Sequence, residues 1–136
     1  LAAIADGNAE QADFQSSSDH WSIAEVGHHV LQGSLNVQKL VRSLAAGNAV
    51  LASNTDPPRE PAHETWDGLT HSLHEDSVRL ASLIDGLPEP PSFEAMTPHG
   101  FFGDLHARAW YLFQRVHDQD HAQQVLTNKV IPGYPG

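Results

Sequence analysis

Histidine is the residue type through which this sequence could do chemistry. The chain has 10 histidines among its 136 residues and no cysteine. Imidazole nitrogens bind divalent transition metals, and they exchange protons near neutral pH. The missing cysteines exclude disulfides, thiolate metal sites and a cysteine nucleophile. We therefore expect any metal or acid–base chemistry of this chain to use imidazole.

Two of these histidines, His117 and His121, are four residues apart. On an α-helix this spacing puts both on one face, one turn apart, where they can bind the same metal ion. The spacing alone is weak evidence, because chance gives about 0.7 such pairs at this histidine content. Their neighbours add to it, since Trp110, Phe113 and Gln124 continue the same stripe at intervals of three and four residues.

A third ligand is expected from the adjacent pair His28 and His29. At 100° per residue, the centre of the apolar stripe of their helix lies about 75° from His29 and about 175° from His28. We therefore expect His29 at the edge of the buried face and His28 in solvent. His29, His117 and His121 would then converge on one ion. Three imidazoles leave coordination positions open for water or substrate, as in catalytic metal sites.

The competing interpretation is that the histidines are ordinary exposed or hydrogen-bonded residues. Asp118 and Asp120, next to the pair, are then solvated charges. In the metal interpretation one of them, or Gln124, accepts a hydrogen bond from the distal N–H of a ligand imidazole. We interpret six further histidines as surface or loop residues: His20, His63, His71, His74, His99 and His106. Trp66, Trp110 and the pair Phe101–Phe102 are expected to pack in the core and loops.

The elements that must position these residues are helices. Ser22 and Glu25 form a capping box, Pro61 suits a first helical turn, and Asp104 suits an N-cap. The apolar spacing predicts three full helices and the stub of one more, at about 22–46, 61–85, 104–127 and 1–6. No segment alternates with period two, so we expect an all-α fold, a four-helix bundle forming a single domain over 1–136. The loop 48–61 is long enough to connect two parallel helices.

Composition excludes several classes of partner. There are 17 acidic and 7 basic residues, for a formal charge of −10. This balance argues against a nucleic-acid partner and against docking on anionic lipid. No apolar stretch approaches the ~18 residues of a membrane-spanning helix, and we expect no secretory leader. We expect no membrane partner and a cytoplasmic protein that acts on a small-molecule substrate.

Two segments resemble the DinB/YfiT-like family of bacterial metal-dependent helical bundles, the DinB superfamily. They are residues 21–30 and 97–124. In the first, a histidine follows Trp21 by eight residues, as at the start of the family's second helix, and here it is His29. The second resembles the family's fourth helix, with the H-x-x-x-H pair His117 and His121 and the following Gln124.

The resemblance implies an up-down-down-up bundle, often a homodimer, that binds zinc or nickel through three histidines, with the first helix largely truncated here. It also implies activation of water or a low-molecular-weight thiol cosubstrate, as in bacillithiol- or mycothiol-dependent S-transferases, or in a hydrolase. The alternative is a non-catalytic metal- or ligand-binding bundle in a stress response. Gly27 departs from the family, which usually has a bulky residue there, and we expect it to open space near His29.

Overall fold

A computed structural model describes all of residues 1–136. It contains four α-helices, two β-strands and two short 3-10 turns. The helices are α1 (Ala9–Asp13), α2 (Ile23–Ala45), α3 (Trp66–Ser82) and α4 (Ala107–Asn128). The strands are β1 (Met96–His99) and β2 (Gly103–His106), and the 3-10 turns are Ala2–Ile4 and Leu83–Gly86. None of the helices is both long and apolar enough to cross a membrane.

The expectation of an all-α four-helix bundle of the DinB/YfiT type is wrong. Strands β1 and β2 form an antiparallel ribbon before α4, with Met96 opposite His106 and His99 opposite Gly103. Each strand has four residues, which is too short for an apolar alternation to appear in the sequence. Gly103 adopts a left-handed conformation (φ +72°) where the chain re-enters the ribbon. The fold therefore combines helices with a small antiparallel sheet.

The amino-terminal region also differs from the expected stub of a truncated helix. Residues 2–4 form a 3-10 turn, and the separate short helix α1 follows. Asn8 caps α1, because its side chain accepts from the Gln11 amide while the Gln11 side chain accepts from the Asn8 amide. This reciprocal cap starts a helix beyond the end of the stub predicted at 1–6.

The starts of the long helices follow from their caps. Helix α2 begins at the capping box, in which Ser22 Oγ accepts from the Glu25 amide (3.1 Å) and Glu25 Oε2 accepts from the Ser22 amide (2.8 Å). Helix α3 begins after Thr65 instead of at Pro61, because Thr65 Oγ1 accepts from an amide of the first turn. Helix α4 begins after His106 instead of Asp104, since residue 104 is paired within the ribbon.

Helix α2 is the centre of the packing. Its carboxyl-terminal half, residues 37–45, packs against the end of α3 and the start of α4 in the largest apolar cluster. Its amino-terminal half packs against the start of α3 through Leu69 and Leu73, and against the end of α4 through Val125. Helix α3 therefore runs parallel to α2, and α4 runs antiparallel to it. The connection between α2 and α3 is a crossover that returns along the molecule.

Gly27 lies where α3 packs against α2. A Cβ at this position would lie 3.2 Å from Leu69 Cδ2 and 3.3 Å from Leu73 Cδ1. The missing side chain therefore lets α3 approach α2 closely. Gly27 also lines a cavity that His121 borders.

Candidate metal centre

The side chains of His29, His117 and His121 converge between α2 and α4. His117 Nε2 lies 3.4 Å from His29 Nε2 and 3.2 Å from His121 Nε2. One ligating nitrogen of each residue lies within 4.8 Å of the other two. The antiparallel packing of α2 and α4 produces this arrangement, because it brings the first third of α2 beside the second half of α4.

These separations fit the donor set of a single small cation. Ligands about 2.0–2.1 Å from a tetrahedral zinc-like ion are roughly 3.3–3.4 Å apart. The Nε2–Nε2 distances from His117 to His29 and to His121, 3.4 Å and 3.2 Å, are close to that value. Imidazole nitrogen is also a preferred ligand of zinc, nickel and related divalent ions.

Acceptors outside the cluster fix which nitrogen of two imidazoles carries the hydrogen. His29 Nδ1 lies 2.8 Å from the Pro57 carbonyl oxygen, which can only accept, so Nδ1 must donate. His121 Nδ1 donates in the same way to Gln124 Oε1, also at 2.8 Å. In the neutral rings both Nε2 atoms then carry lone pairs, and both point toward His117. A cation bound beside these two Nε2 atoms would be stabilised by their lone pairs.

The surroundings favour neutral imidazoles, the form that binds metals. His29 is only 4% exposed. Burial, followed by the neighbouring His121 ring, lowers the pKa of His29. Burial, followed by the His121 and His29 rings, lowers the pKa of His117 to about 4. The His117 Nδ1 atom is buried and has no hydrogen-bond partner in the protein.

Of the three candidates for orienting a ligand imidazole, Gln124 makes the contact, through His121 Nδ1. Asp118 points elsewhere, because Gln114 Nε2 donates to its Oδ1 at 2.6 Å. Burial raises the pKa of Asp118 to about 6. Asp120 is exposed and forms no hydrogen bond or ion pair with the three imidazoles.

His28 does not lie in solvent, as the helical projection predicted. It is 9% exposed, and its Nδ1 lies 3.1 Å from Glu64 Oε2. The segment preceding α3 covers this face of α2, and the periodicity of α2 carries no information about that segment. His28 is nevertheless not one of the converging residues.

The remaining predicted residues divide into exposed and packed groups. The imidazoles of His20, His63, His71 and His74 are exposed, as expected. His106 is half-buried and caps α4, accepting from the Ala109 amide. The His99 ring is half-buried and packs against Phe113 (4.4 Å between centroids). Trp110 is buried in the core and Trp66 is half-buried, whereas Phe101 and Phe102 are 90% and 67% exposed.

One residue at the site was missed in the sequence. Asp56, in the crossover between α2 and α3, places Oδ1 3.4 Å from His29 Nε2 and 3.8 Å from His117 Nε2. The sequence marks this region as a loop with prolines at 57 and 58, but no local signal says against which helix the loop packs. A carboxylate therefore lies at the open side of the three imidazoles.

A cavity of about 800 Å³ lies next to the imidazole cluster, between α3 and α4. Most of its lining is apolar, and Asp76, Arg115 and Asp118 add charged groups. His121 also lines it, so the cluster borders a space large enough for a small molecule.

Comparison with known proteins shows similarity to a distant relative. No family model matches the chain, and no solved structure matches it. The chain is similar to the "Uncharacterized protein YuaE" of Bacillus subtilis (strain 168), with 27% identity over 133 residues. The alignment covers 85% of this chain and 82% of that protein. The name of YuaE carries no function.

Proposed function

We propose that this chain is a metal-dependent enzyme related to the DinB/YfiT-like family, with His29, His117 and His121 holding one zinc or nickel ion. The ion would activate a low-molecular-weight thiol or water, for S-transfer or hydrolysis. The observation that carries the proposal is the pair of Nε2 lone pairs directed at a third imidazole at spacings typical of ligands around one ion. The resemblance of residues 21–30 and 97–124 to that family supports the same ligands.

A divalent ion held by these residues would supply Lewis-acid chemistry, favouring thiolate over thiol or acidifying water. The chain's own groups prepare the ligands. Pro57 O and Gln124 Oε1 hold two rings in the tautomer whose Nε2 is free to bind. Trp21 packs edge-on against His29, with 5.2 Å between ring centroids, and restricts the rotation of that ring.

The protein leaves any sulfur nucleophile to a cosubstrate, because the chain has no cysteine. Three neutral imidazoles do not compensate the charge of a dication, which strengthens the attraction of an anionic sulfur. The apolar cavity that His121 lines is the proposed space for a small electrophilic substrate. Its side walls exclude water from apolar parts of such a molecule.

The first experiment is a metal analysis of protein purified without a histidine tag and loaded with zinc or nickel. We expect one ion per chain, and loss of stoichiometric binding in His29→Ala, His117→Ala and His121→Ala. His28→Ala is the matched control, because it also removes a buried imidazole but lies outside the cluster. His74→Ala is an exposed control. Retention of the ion by all three cluster variants would contradict the proposal.

The second experiment tests turnover. Metal-loaded protein is offered glutathione-like, mycothiol and bacillithiol donors with a chromogenic electrophile, and ester and amide substrates without thiol. We expect a rate above that of His121→Ala on at least one substrate class. If the loaded protein and the variant do not differ on any substrate, a non-catalytic metal- or ligand-binding role replaces the enzymatic one.

A further inference from the structure

The crossover segment that carries Asp56 is attached to one face of α2. The attachment points on the helix are His29, Gly33 and Asn36, which follow one another at helical spacing. His29 Nδ1 donates to the Pro57 carbonyl (2.8 Å), and Asn36 Nδ2 donates to the Asn54 carbonyl (2.9 Å). These bonds bracket Asp56 on both sides, so the position of its backbone is defined.

Gly33 allows this close approach. A Cβ at Gly33 would lie 3.0 Å from the Thr55 carbonyl oxygen and 3.4 Å from Pro57 Cδ. Asn54 turns the chain with a positive φ of 53°, a conformation that asparagine tolerates better than most residues. Two local features of the sequence therefore fit residues 54–57 closely against α2.

The carboxylate of Asp56 faces an imidazole nitrogen that has no hydrogen to offer it. His29 donates from Nδ1 to Pro57, so its neutral ring presents a lone pair at Nε2, 3.4 Å from Asp56 Oδ1. Two facing acceptors repel each other unless a proton or a metal ion lies between them. A metal ion bound between the carboxylate and the imidazoles would attract both and so stabilise this contact.

We propose that Asp56 is an exchangeable fourth ligand of the ion held by His29, His117 and His121. The inference rests on the proposed function. It is carried by the distances from Asp56 Oδ1 to two Nε2 atoms, 3.4 Å to His29 and 3.8 Å to His117. The first equals the distance between the Nε2 atoms of His29 and His117. The Asp56 side chain is 72% exposed, so it can leave the site by rotating into solvent. A thiolate or another anion entering from solvent would take the position of this carboxylate.

The assignment separates two roles within the site. The histidines, which are fixed by helix packing and, for His29 and His121, by outer hydrogen bonds, would retain the ion throughout. Asp56 would reduce the net charge of the site when no substrate is bound and would compete with anionic ligands. Removing it should therefore weaken zinc binding and strengthen the binding of an exogenous thiol to the loaded protein.

The experiment compares Asp56→Ala and Asp56→Asn with the unmodified chain and with Glu60→Gln. Glu60 is an exposed carboxylate of the same loop without a hydrogen bond or ion pair, so its variant matches the change in charge. Zinc affinity is measured by competition with a chromophoric chelator, and the ligand set is measured by the visible absorption of the cobalt-loaded proteins. Helical circular dichroism of each metal-free variant checks the fold.

We expect both Asp56 variants to lose about tenfold or more in zinc affinity and to change the cobalt spectrum, with Glu60→Gln unchanged. Added 2-mercaptoethanol, the thiol probe, should shift the cobalt spectrum of Asp56→Ala at lower concentration than that of the unmodified chain. Lower affinity with an unchanged spectrum would mean that Asp56 acts through its charge alone, which overturns the ligand assignment. If the Asp56 variants keep the zinc affinity and cobalt spectrum of the unmodified chain, while the histidine variants lose zinc binding, this inference is overturned but the proposed function is not. Failure of the unmodified chain to bind metal would overturn both.

Discussion

The tautomers of two of the converging imidazoles depend on single acceptors outside the cluster. Pro57 O serves His29, and Gln124 Oε1 serves His121. The backbone carbonyl cannot be removed by substitution, but the side-chain amide can. Gln124 is therefore the residue at which the orientation of a ligand ring can be tested without touching a ligand.

Replacing Gln124 by Ala should weaken zinc binding about 10–100-fold, the usual effect of losing the outer partner of a ligand histidine. The physical reason is that His121 loses the acceptor that keeps hydrogen on Nδ1 and leaves Nε2 free. Isothermal titration of zinc into the metal-free protein measures the change. Gln123→Ala is the control, since Gln123 is the exposed neighbour. Equal affinities in the two variants would contradict the assigned role of Gln124.

Among the secondary-structure elements, α2 is a helix for which residues at its own two ends determine where it starts and stops. Its predicted and observed bounds agree within one residue. The capping box and the glycine at 47, which has φ +87°, are signals that the helix itself carries. The ribbon before α4 has no comparable signal, because Pro98 and polar residues occupy strands of four residues. The burial of His28 and the position of Asp56 depend on loops that pack from elsewhere in the chain. These are the features that sequence reasoning missed.

The start of α2 should make stability depend on pH. Burial raises the pKa of Glu25, but hydrogen bonds from Arg59, Ser22 and Gln15 outweigh it and hold the pKa below the usual 4.5. A lowered pKa contributes stability that is fully present above 4.5 and is lost as pH falls through the folded-state value. Glu25→Gln should therefore be less stable than the unmodified chain at pH 7 and should converge with it toward pH 3.

Urea unfolding of the metal-free proteins between pH 3 and 7, followed by circular dichroism, measures this dependence. Glutamine keeps the hydrogen-bonding shape of the capping box, so the difference isolates the charge. Glu94→Gln, at an exposed glutamate without an ion pair, should reproduce the unmodified curve. Parallel curves for Glu25→Gln and the unmodified chain would show that this carboxylate does not contribute.

The contact between α2 and α3 at Gly27 gives a prediction about packing. Gly27→Leu should lower the free energy of unfolding by about 1–3 kcal/mol, because the added side chain must enter space held by Leu69 and Leu73. Gly27→Ala should be much milder, since its helix propensity, worth about 1 kcal/mol, offsets part of the crowding. Urea unfolding measures both. Greater stability of the leucine variant would show that α3 can move away without cost.

For the whole molecule, the apolar contacts that hold the helices together are separate from the contacts among the three imidazoles. The largest cluster joins the carboxyl-terminal half of α2 to α3 and α4 through apolar side chains, and Phe113 at its edge contacts the His117 ring. We expect the fold to persist without metal, unlike that of a zinc finger. Bound ion should still add stability by mass action, about 2.7 kcal/mol when its free concentration is 100 times Kd.

Thermal unfolding followed by far-ultraviolet circular dichroism, with chelator and with zinc, tests this separation. The helical signal at 20 °C should be the same in both, and the unfolding midpoint should be higher with zinc. His117→Ala should show one midpoint under both conditions. A loss of helical signal on chelation would mean that the ion is needed to hold α4 against α2.

The separation of His29 from His117, 88 residues along the chain, has a kinetic consequence. His117 and His121 come together as soon as α4 forms, whereas His29 joins them after the two helices dock. A refolding chain should therefore offer a weak two-nitrogen site early and the complete site late. In stopped-flow refolding with a zinc indicator, tight uptake should lag behind the recovery of helical signal. The lag would time the docking of α4 on α2.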